Sequence, residues 1–252
     1  MYKIRILICG ATGFIGRNLL EFYSNKNEYE VHATHFKRPS FEIQGVTWHK
    51  VDLRNPESVE NLVRGKDIII QAAATTSGAK EIIGKPYIHV TDNAVMNSYI
   101  FRAAFEHNVK HVIFFSCTVM YQSSDFPLKE TDFDANTPLY NKYFGVGHTK
   151  LYIEKLCEFY GNIGNTKYTA IRHSNIYGPY DKYDLERSHF FGATITKVMT
   201  ANDEITVWGT GEEERDVLYV DDLINLVDKV LMKQKKNYAL YNCGYGKASK
   251  VI

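Results

Sequence analysis

Short strand-like runs alternate with longer helix-like stretches over the first 175 residues of the chain. The runs show little alternation of polar and apolar residues, which is typical of strands buried on both faces. They are Ile4–Cys9, Val31–Phe36, Asp67–Ala74, Val112–Ser116 and Tyr168–His173. Between them, Phe14–Tyr23, Asn93–His107 and Thr149–Tyr160 repeat apolar residues at helical spacing. This order predicts an α/β fold with a doubly wound parallel sheet and right-handed crossovers.

The pattern loosens into shorter elements after Phe191, although a strand-like run returns at Tyr238–Cys243. We therefore expect a larger domain over residues 1–175, with segments that return to it, and a smaller lobe over residues 176–252. A chain of 252 residues is long enough for this division. The chain reaches Ile252 without a helix stop signal, so we expect its C-terminus to be cut short.

Composition narrows the classes of partner. Lysine and arginine number 30 and aspartate and glutamate 29, so no net field would recruit nucleic acid or an anionic membrane. The four cysteines are widely spaced and form no CxxC pair, which indicates neither a zinc site nor a disulfide framework. The first apolar run is too short to span a bilayer, and no signal-peptide cleavage site follows it. These features predict a cytoplasmic protein with no metal and no membrane partner.

A glycine-rich turn joins the first strand to the first helix. It reads Gly10-Ala11-Thr12-Gly13-Phe14-Ile15-Gly16. Glycines at such positions permit the tight turn, the close approach of a pyrophosphate and close packing of helix on strand. The helix N-terminus then offers free N–H groups to the phosphates. The turn therefore predicts a dinucleotide site whose contacts come from Gly10, Thr12, Gly13, Phe14, Ile15 and Gly16.

The end of the second strand distinguishes NADP from NAD. An acidic residue there would bind the ribose 2′-hydroxyl, whereas a basic residue accommodates a 2′-phosphate. This chain has Lys37 and Arg38 and no acid at that point. We predict NADP, with NAD as the alternative if both residues are only solvated surface charges.

The glycine spacing GxxGxxG resembles that of the extended short-chain dehydrogenase/reductase superfamily, in its NAD-dependent epimerase/dehydratase branch that modifies nucleotide sugars. Three further segments strengthen the resemblance: Asp52-Leu53, Ala72-Ala73-Ala74, and Arg172-x-x-Asn175-x-Tyr177-Gly178-Pro179. The resemblance implies that residues 1–175 form a Rossmann domain and residues 176–252 a substrate-binding lobe. It also implies that Asp52 and Leu53 lie beside the adenine, that Ala72, Ala73 and Ala74 line the cofactor, and that Pro179 shapes the nicotinamide pocket. By itself, Asp52 could instead be a helix cap before Pro56.

Members of this superfamily transfer a hydride with a Tyr and a Lys four residues apart on one helix, plus a Ser or Thr after a strand. Lys150 fits the Lys position, but Val146 stands where the Tyr would be. Valine cannot carry a proton. Seven residues before Lys150, Tyr143 lies near the same helix face and is our preferred replacement. His148 is the weaker candidate, because two residues turn a helix by about 200°.

The Ser position falls in Ser116-Cys117-Thr118, a segment similar to that of GDP-fucose synthases and related epimerase/reductases. In the preferred register, Ser116 orients the substrate oxygen and Thr118 replaces a catalytic Cys. An alternative register, anchored on Tyr121, moves the Ser role to Cys117. The catalytic His that follows the proline in the synthases is Tyr180 here. The resemblance therefore favours simple hydride chemistry over double epimerisation.

Contacts to the substrate are implied by the same resemblance. Asn175 would bind the sugar or its phosphates, and Arg215 a nucleotide diphosphate, for which a planar guanidinium is suited. Arg187 is a further phosphate candidate. Asp221-Asp222 is expected to cap a helix over Leu223–Leu231. GDP is the preferred nucleotide only because the middle of the chain resembles GDP-sugar enzymes.

These features predict an enzyme that oxidises or reduces a nucleotide-diphosphate sugar at a ring carbon such as C4. Val146 keeps open the alternative of a catalytically impaired, regulatory cofactor-binding protein. By analogy with the family, the helices over Asn93–His107 and Thr149–Tyr160 would pair in a homodimer.

Overall fold

A computed structural model describes residues 2–76, 85, 87–185, 188–206 and 210–250. Its main sheet has seven parallel strands in the order β3-β2-β1-β4-β5-β6-β9. The strands are β1 (Ile4–Cys9), β2 (Tyr29–His35), β3 (Val46–Lys50), β4 (Ile68–Gln71), β5 (His111–Cys117), β6 (Lys167–His173) and β9 (Tyr238–Cys243). The predicted doubly wound α/β fold is confirmed.

Helices cover both faces of this sheet. They are α1 (Phe14–Ser24), α2 (Pro56–Val63), α3 (Tyr87–Glu106), α4 (Phe144–Ile163) and α6 (Val220–Lys233). One core packs α1 and α6 against the sheet, and the second packs α2, α3 and α4 against its other face. The strand order reverses between β1 and β4, so the ligand crevice is expected at the carboxyl ends of those two strands.

A second, three-stranded sheet joins β7 (Asn175–Tyr177), β8 (Glu214–Tyr219) and β10 (Ala248–Lys250). The helix α5 (Phe190–Thr200) lies in the same stretch of chain. The remaining elements of residues 176–252 return to the main domain. β9 extends the main sheet beside β6, and Tyr23 of α1 and Lys26, which follows that helix, contact Asp228 of α6.

Two features differ from the sequence-based expectation. β3 was not predicted, because its sequence Val-Thr-Trp-His-Lys alternates and it lies half-buried at the sheet edge. Asp221 and Asp222 do not cap a helix, since α6 begins at Val220 and its N-cap, Tyr219, makes no side-chain cap bond. The two carboxylates lie in the first turn of α6, where they interact favourably with the positive end of the helix dipole.

Candidate active site

The glycine turn presses against the end of β4. Gly10 has φ +73°, and a Cβ there would lie 2.6 Å from the Cα of Ala73. A Cβ on Gly16 would overlap the carbonyl oxygen of Gly10. The amide of Gly10 donates to the Thr34 hydroxyl at 2.9 Å, which anchors the turn to β2. These two glycines therefore hold β1, β4 and α1 together at the switch point of the sheet.

The N-terminus of α1 fits a dinucleotide diphosphate. Its N-cap, Gly13, offers no side-chain bond to the first-turn amides, and that turn carries no acidic residue. The free N–H groups and the positive dipole end therefore remain for an anion. Thr12, Phe14 and Ile15 are half-buried around this end.

Lys37 and Arg38 follow β2 on the exposed side of the turn. The guanidinium of Arg38 donates to the Thr12 carbonyl at 3.3 Å, so it lies across the glycine turn. Lys37 is exposed beside it. Both cations are therefore placed where the second strand ends, as the NADP prediction requires, although nothing in this arrangement selects between the cofactors.

Asp52 does not cap α2; the cap is Asn55, whose side chain accepts from the Ser58 amide at 2.8 Å. Asp52 instead receives two bonds from the Arg54 guanidinium, at 2.9 and 2.8 Å. Those bonds hold the pKa of the Asp52 carboxyl below its usual range. The next residue, Leu53, is buried in the core.

The three alanines after β4 lie along the crevice. Ala72 and Ala73 are half-buried and Ala74 is exposed. The Ala72 amide donates to the Cys9 carbonyl at 3.2 Å, so this segment continues beside the glycine turn. The small side chains leave room for a flat ligand along this wall.

Ser116 is placed away from any substrate, which corrects the preferred register. Its exposed fraction is 0%, and its hydroxyl donates to the Glu154 carboxylate at 2.5 Å. A hydroxyl held in this way cannot orient a substrate oxygen in the crevice. The alternative register, anchored on Tyr121, would give the Ser position to Cys117 instead.

Glu154 belongs to a buried polar network that the sequence analysis missed. Its carboxylate accepts from Arg172 Nε at 3.0 Å and Arg172 Nη2 at 2.7 Å, and both side chains are about 3% exposed. Arg172 Nη1 also donates to the Tyr121 hydroxyl at 2.7 Å, which in turn donates to Asn242 at 2.9 Å. The only available signal was an acidic residue between the apolar positions 153 and 157 of α4.

Lys150 reaches from α4 to the carboxyl end of β5. Its ammonium donates to the Phe115 carbonyl at 2.7 Å and lies 4.7 Å from the centre of the Phe114 ring. Burial lowers the pKa of Lys150, while the Cys117 thiol and the Glu154 carboxylate oppose that shift. The lysine is therefore a half-buried cation at the end of the sheet, where it interacts electrostatically with Cys117.

The helix before Lys150 offers no hydroxyl at the usual position. Val146 is half-buried one turn before Lys150. Tyr143 is the N-cap of α4 and is half-buried, with its ring 5.9 Å from that of Tyr140. His148 is exposed and packs its ring on Phe144 at 4.5 Å. Of the two replacements considered, Tyr143 is therefore the one not turned toward solvent.

His173 lies next to Cys117 across the β5–β6 pair. Its Nδ1 lies 2.8 Å from the Ser174 carbonyl, so Nδ1 carries the proton in the neutral ring. Burial is the main cause that lowers the pKa of His173 to about 4, with Lys150 and His189 contributing. The strand ends therefore bring a neutral imidazole to the same edge as Lys150.

The segment over residues 175–179, which follows β6, connects the two sheets. The Asn175 amide donates to the Asp216 carbonyl at 3.0 Å, and the Pro179 carbonyl accepts from Asn18 of α1 at 2.8 Å. Tyr180 has φ +69° and stacks on Arg17 at 3.7 Å, with its hydroxyl on Glu21. Tyr180 therefore lies on the surface of α1, not where a catalytic group would be needed.

The remaining candidates contribute less. Thr118 is half-buried in the turn after β5, where its carbonyl accepts from the Tyr121 amide at 3.1 Å. Arg215 is exposed on β8 and its guanidinium donates to the Glu214 carbonyl at 2.8 Å. Arg187 lies outside the described residues.

Comparison with known proteins fits this geometry. Residues 6–244 match the NAD dependent epimerase/dehydratase family. The chain belongs to this family. It is 29% identical to a GDP-L-fucose synthase of Azorhizobium caulinodans, over 98% of this chain and 77% of that protein. It is 26% identical to a GDP-L-colitose synthase of Yersinia pseudotuberculosis, over 96% and 77%.

Solved structures share the fold of this family member. A UDP-glucose 4-epimerase from Thermotoga maritima, solved with UDP-glucose, gives a TM-score of 0.84 at 23% identity, covering 98% of this chain and 79% of that one. MoeE5, solved with UDP-glucuronic acid and NAD, gives 0.82 at 22% identity, covering 98% and 78%. The chain is thus a Rossmann-fold member of a nucleotide-sugar enzyme family. Among the described residues, no helix is long and apolar enough to cross a membrane.

Proposed function

We propose that this protein is an oxidoreductase that transfers a hydride to or from a ring carbon, such as C4, of a nucleotide-diphosphate sugar. The observation that carries the proposal is the placement of Lys150. Its ammonium lies at the carboxyl end of β5, the strand beside β4 in the same parallel sheet whose β1 and β4 lead into the glycine turn and the three alanines. A half-buried cation at this edge is suited to a cofactor ribose and to the oxygen being reduced.

A nicotinamide cofactor supplies the hydride when it is bound. The α1 N-terminus binds its diphosphate, and Lys150 holds its ribose and lowers the pKa of a neighbouring proton donor. Asn175 and Arg215 bind the substrate's sugar and diphosphate, with Arg187 as a further contact. Pro179 and the segment Ala72–Ala74 shape the cofactor site.

NADP is the proposed form of the cofactor. Lys37 and Arg38 are two exposed cations at the end of β2, and a 2′-phosphate beside them would be stabilised by both. NAD remains the alternative, because the solved relative MoeE5 holds NAD.

Val146 stands at the position of the family's proton-carrying Tyr, and two other side chains are candidates for its role. Tyr143 lies one turn further back along α4, and Cys117 lies at the end of β5 beside Lys150. If neither transfers a proton, the protein is a regulatory cofactor-binding protein, which Val146 favours.

A homodimer is the proposed assembly. The paired helices α3 and α4 carry large apolar side chains at the surface, with Tyr152 48%, Phe159 53% and Ile163 51% exposed. We expect sedimentation to give twice the chain mass, and a Phe159→Glu variant to give the monomer. We place the protein in the cytoplasm, because all four cysteines are free thiols.

Purified protein incubated with GDP-, UDP-, CDP- and dTDP-sugars and either cofactor would test the proposed function. Absorbance at the nicotinamide band and the mass of the sugar report the reaction. Turnover of at least one sugar supports the proposal. Bound cofactor without turnover of any sugar would favour the regulatory alternative.

A further inference from the structure

The Cys117 thiol occupies the last position of β5, at the edge of the sheet where the cofactor site is built. The preceding residue, Ser116, is committed to the buried Glu154–Arg172 pair. Cys117 takes no part in that pair and is half-buried. The thiol is therefore the ionisable group on β5 that remains for a substrate.

The groups around this thiol act on its pKa in opposite directions. The Lys150 ammonium on α4 and the Arg172 guanidinium on β6 stabilise the thiolate electrostatically. The Val119 amide donates a hydrogen bond to the sulfur and has the same effect. Glu154 and burial act in the opposite direction, and burial is the largest effect, so the pKa of the Cys117 thiol is raised. His173 is the neighbour on β6 and is neutral above about pH 4. The group is therefore a thiol at neutral pH whose conjugate base has a fixed cation beside it.

We propose that Cys117 exchanges the proton with the sugar oxygen, the role of the Tyr that Val146 replaces. This inference rests on the proposed function. A thiol is a stronger acid than a phenol, with ordinary pKa values of about 8.5 and 10. A Cys–Lys pair can therefore do what a Tyr–Lys pair does, with the lysine stabilising the anion in both cases.

The proton and electron balance is simple. In reduction of a keto-sugar, a bound reduced nicotinamide cofactor would supply one hydride, which carries both electrons, to the carbonyl carbon. The Cys117 S–H proton goes to the carbonyl oxygen, which becomes a hydroxyl. The thiolate left beside Lys150 then takes a proton from solvent. In oxidation of the hydroxyl, the thiolate accepts that proton and the oxidised cofactor accepts the hydride.

The pairing is tested without any turnover by alkylation with iodoacetamide, since only a thiolate reacts. We expect Lys150→Met to slow alkylation of Cys117 at pH 8 at least fivefold, and Lys150→Arg to stay within twofold of wild type. Lys155→Met, an exposed lysine of the same helix, is the matched control and should change nothing. Peptide masses separate Cys117 from the buried Cys9, Cys157 and Cys243, which should remain unmodified.

The catalytic role is tested by two substitutions on whichever sugar the wild type converts. Cys117→Ser creates a hydroxyl at this position, so it preserves a hydrogen bond but not an acid near neutral pH. We expect Cys117→Ser and Cys117→Ala to lower kcat equally, at least thirtyfold, and Tyr143→Phe, at the other candidate donor, to lower kcat by less than either. For the wild type, kcat/KM of reduction should fall as pH rises through the thiol pKa.

Each result has a definite reading. Wild-type kcat in Cys117→Ser shows that only a hydrogen bond is needed and overturns the inference. A large loss in Tyr143→Phe with active Cys117 variants assigns the proton to Tyr143. Alkylation that Lys150→Met leaves unchanged also overturns the inference, whatever the turnover. A wild type that converts no sugar overturns the proposed function and, with it, the role of Cys117.

Discussion

At the level of single residues, the buried carboxylate of Glu154 is the shared hydrogen-bond acceptor for two side chains at the ends of β5 and β6. It holds Arg172 through several short bonds and removes Ser116 from the crevice. Replacing one partner of such a pair leaves the other charge buried without compensation. Glu154 therefore fixes which residue of β5 is free to meet a ligand.

Glu154→Gln should lower the free energy of unfolding by about 3 kcal/mol, because Arg172 then loses its counter-charge. Glu158→Gln is the matched control on the same helix, since Glu158 pairs at the surface with Lys155. That variant should cost less than about 1 kcal/mol. Urea titration measures both, and equal effects would contradict a structural role for the Glu154–Arg172 pair.

Lys150→Met should weaken cofactor binding at least tenfold in a calorimetric titration, under the enzyme and the regulatory hypothesis alike. The reason is the loss of the cation that the structure places at the end of β5. Lys155→Met should bind as the wild type does. Unchanged affinity in Lys150→Met would place the ribose elsewhere.

At the scale of elements, the glycine turn is the part of the site that sequence reasoning described best. Gly16→Ala should lower the free energy of unfolding by more than about 2 kcal/mol, because its Cβ would overlap the Gly10 carbonyl in a well-packed region. Gly45→Ala, with φ +77° and open space around it, should cost about 1 kcal/mol. A Gly16→Ala variant as stable as wild type would refute the close approach of α1 to β1.

Lys37 and Arg38 at the end of β2 are the proposed determinants of NADP over NAD. Replacing Lys37 and Arg38 together by Asp should shift the ratio of NADP to NAD affinity at least tenfold toward NAD, since the 2′-phosphate loses both cations. Lys50→Asp, at the end of the neighbouring β3, should leave the ratio unchanged. Fluorescence titration of the reduced cofactors reports it. An unaltered ratio in the double variant would show that the two cations are only surface charge.

Buried parallel strands and amphipathic helices could be predicted because burial on two faces leaves a continuous apolar run. The half-buried edge strand β3 lacks that run, and it was missed. Within the site, the sequence shows which residues end β5, but it does not decide whether Ser116 or Cys117 takes the Ser position of the family. The Ser116–Glu154 contact joins residues 38 positions apart, so the burial of Ser116 could not be predicted from the local sequence.

At the scale of the whole molecule, two buried histidines link stability to pH. Burial and nearby lysine charges lower the pKa of His111 and of His173 to about 4 from an ordinary 6.5. Each stabilises the fold fully above pH 6.5 and loses that contribution as pH falls toward 4. Each histidine should make the free energy of unfolding fall more steeply as pH decreases, by up to about 1.4 kcal/mol per pH unit.

His111→Gln should therefore flatten the dependence of unfolding free energy on pH between 6.5 and 4. The exposed His148→Gln should retain the wild-type slope and serves as the control. Urea unfolding midpoints taken at intervals of half a pH unit measure this pH dependence. A slope in His111→Gln equal to that of wild type would contradict burial of a neutral His111.

At the C-terminal side of the molecule, two side-chain amides hold the segment around residues 175–179 in place. Asn175 ties β7 to β8, and Asn18 ties the Pro179 loop to α1. The Pro179 loop is therefore attached to α1, the helix that begins at the glycine turn.

The central claim is hydride transfer between the cofactor and a sugar ring carbon. Its most direct test is to supply cofactor deuterated at nicotinamide C4 with keto forms of GDP-, UDP-, CDP- and dTDP-sugars, and to locate deuterium in the products by mass spectrometry and NMR. We expect one deuterium on the reduced ring carbon of at least one sugar, such as C4. Cofactor that binds tightly but delivers no deuterium to any of these sugars would contradict it.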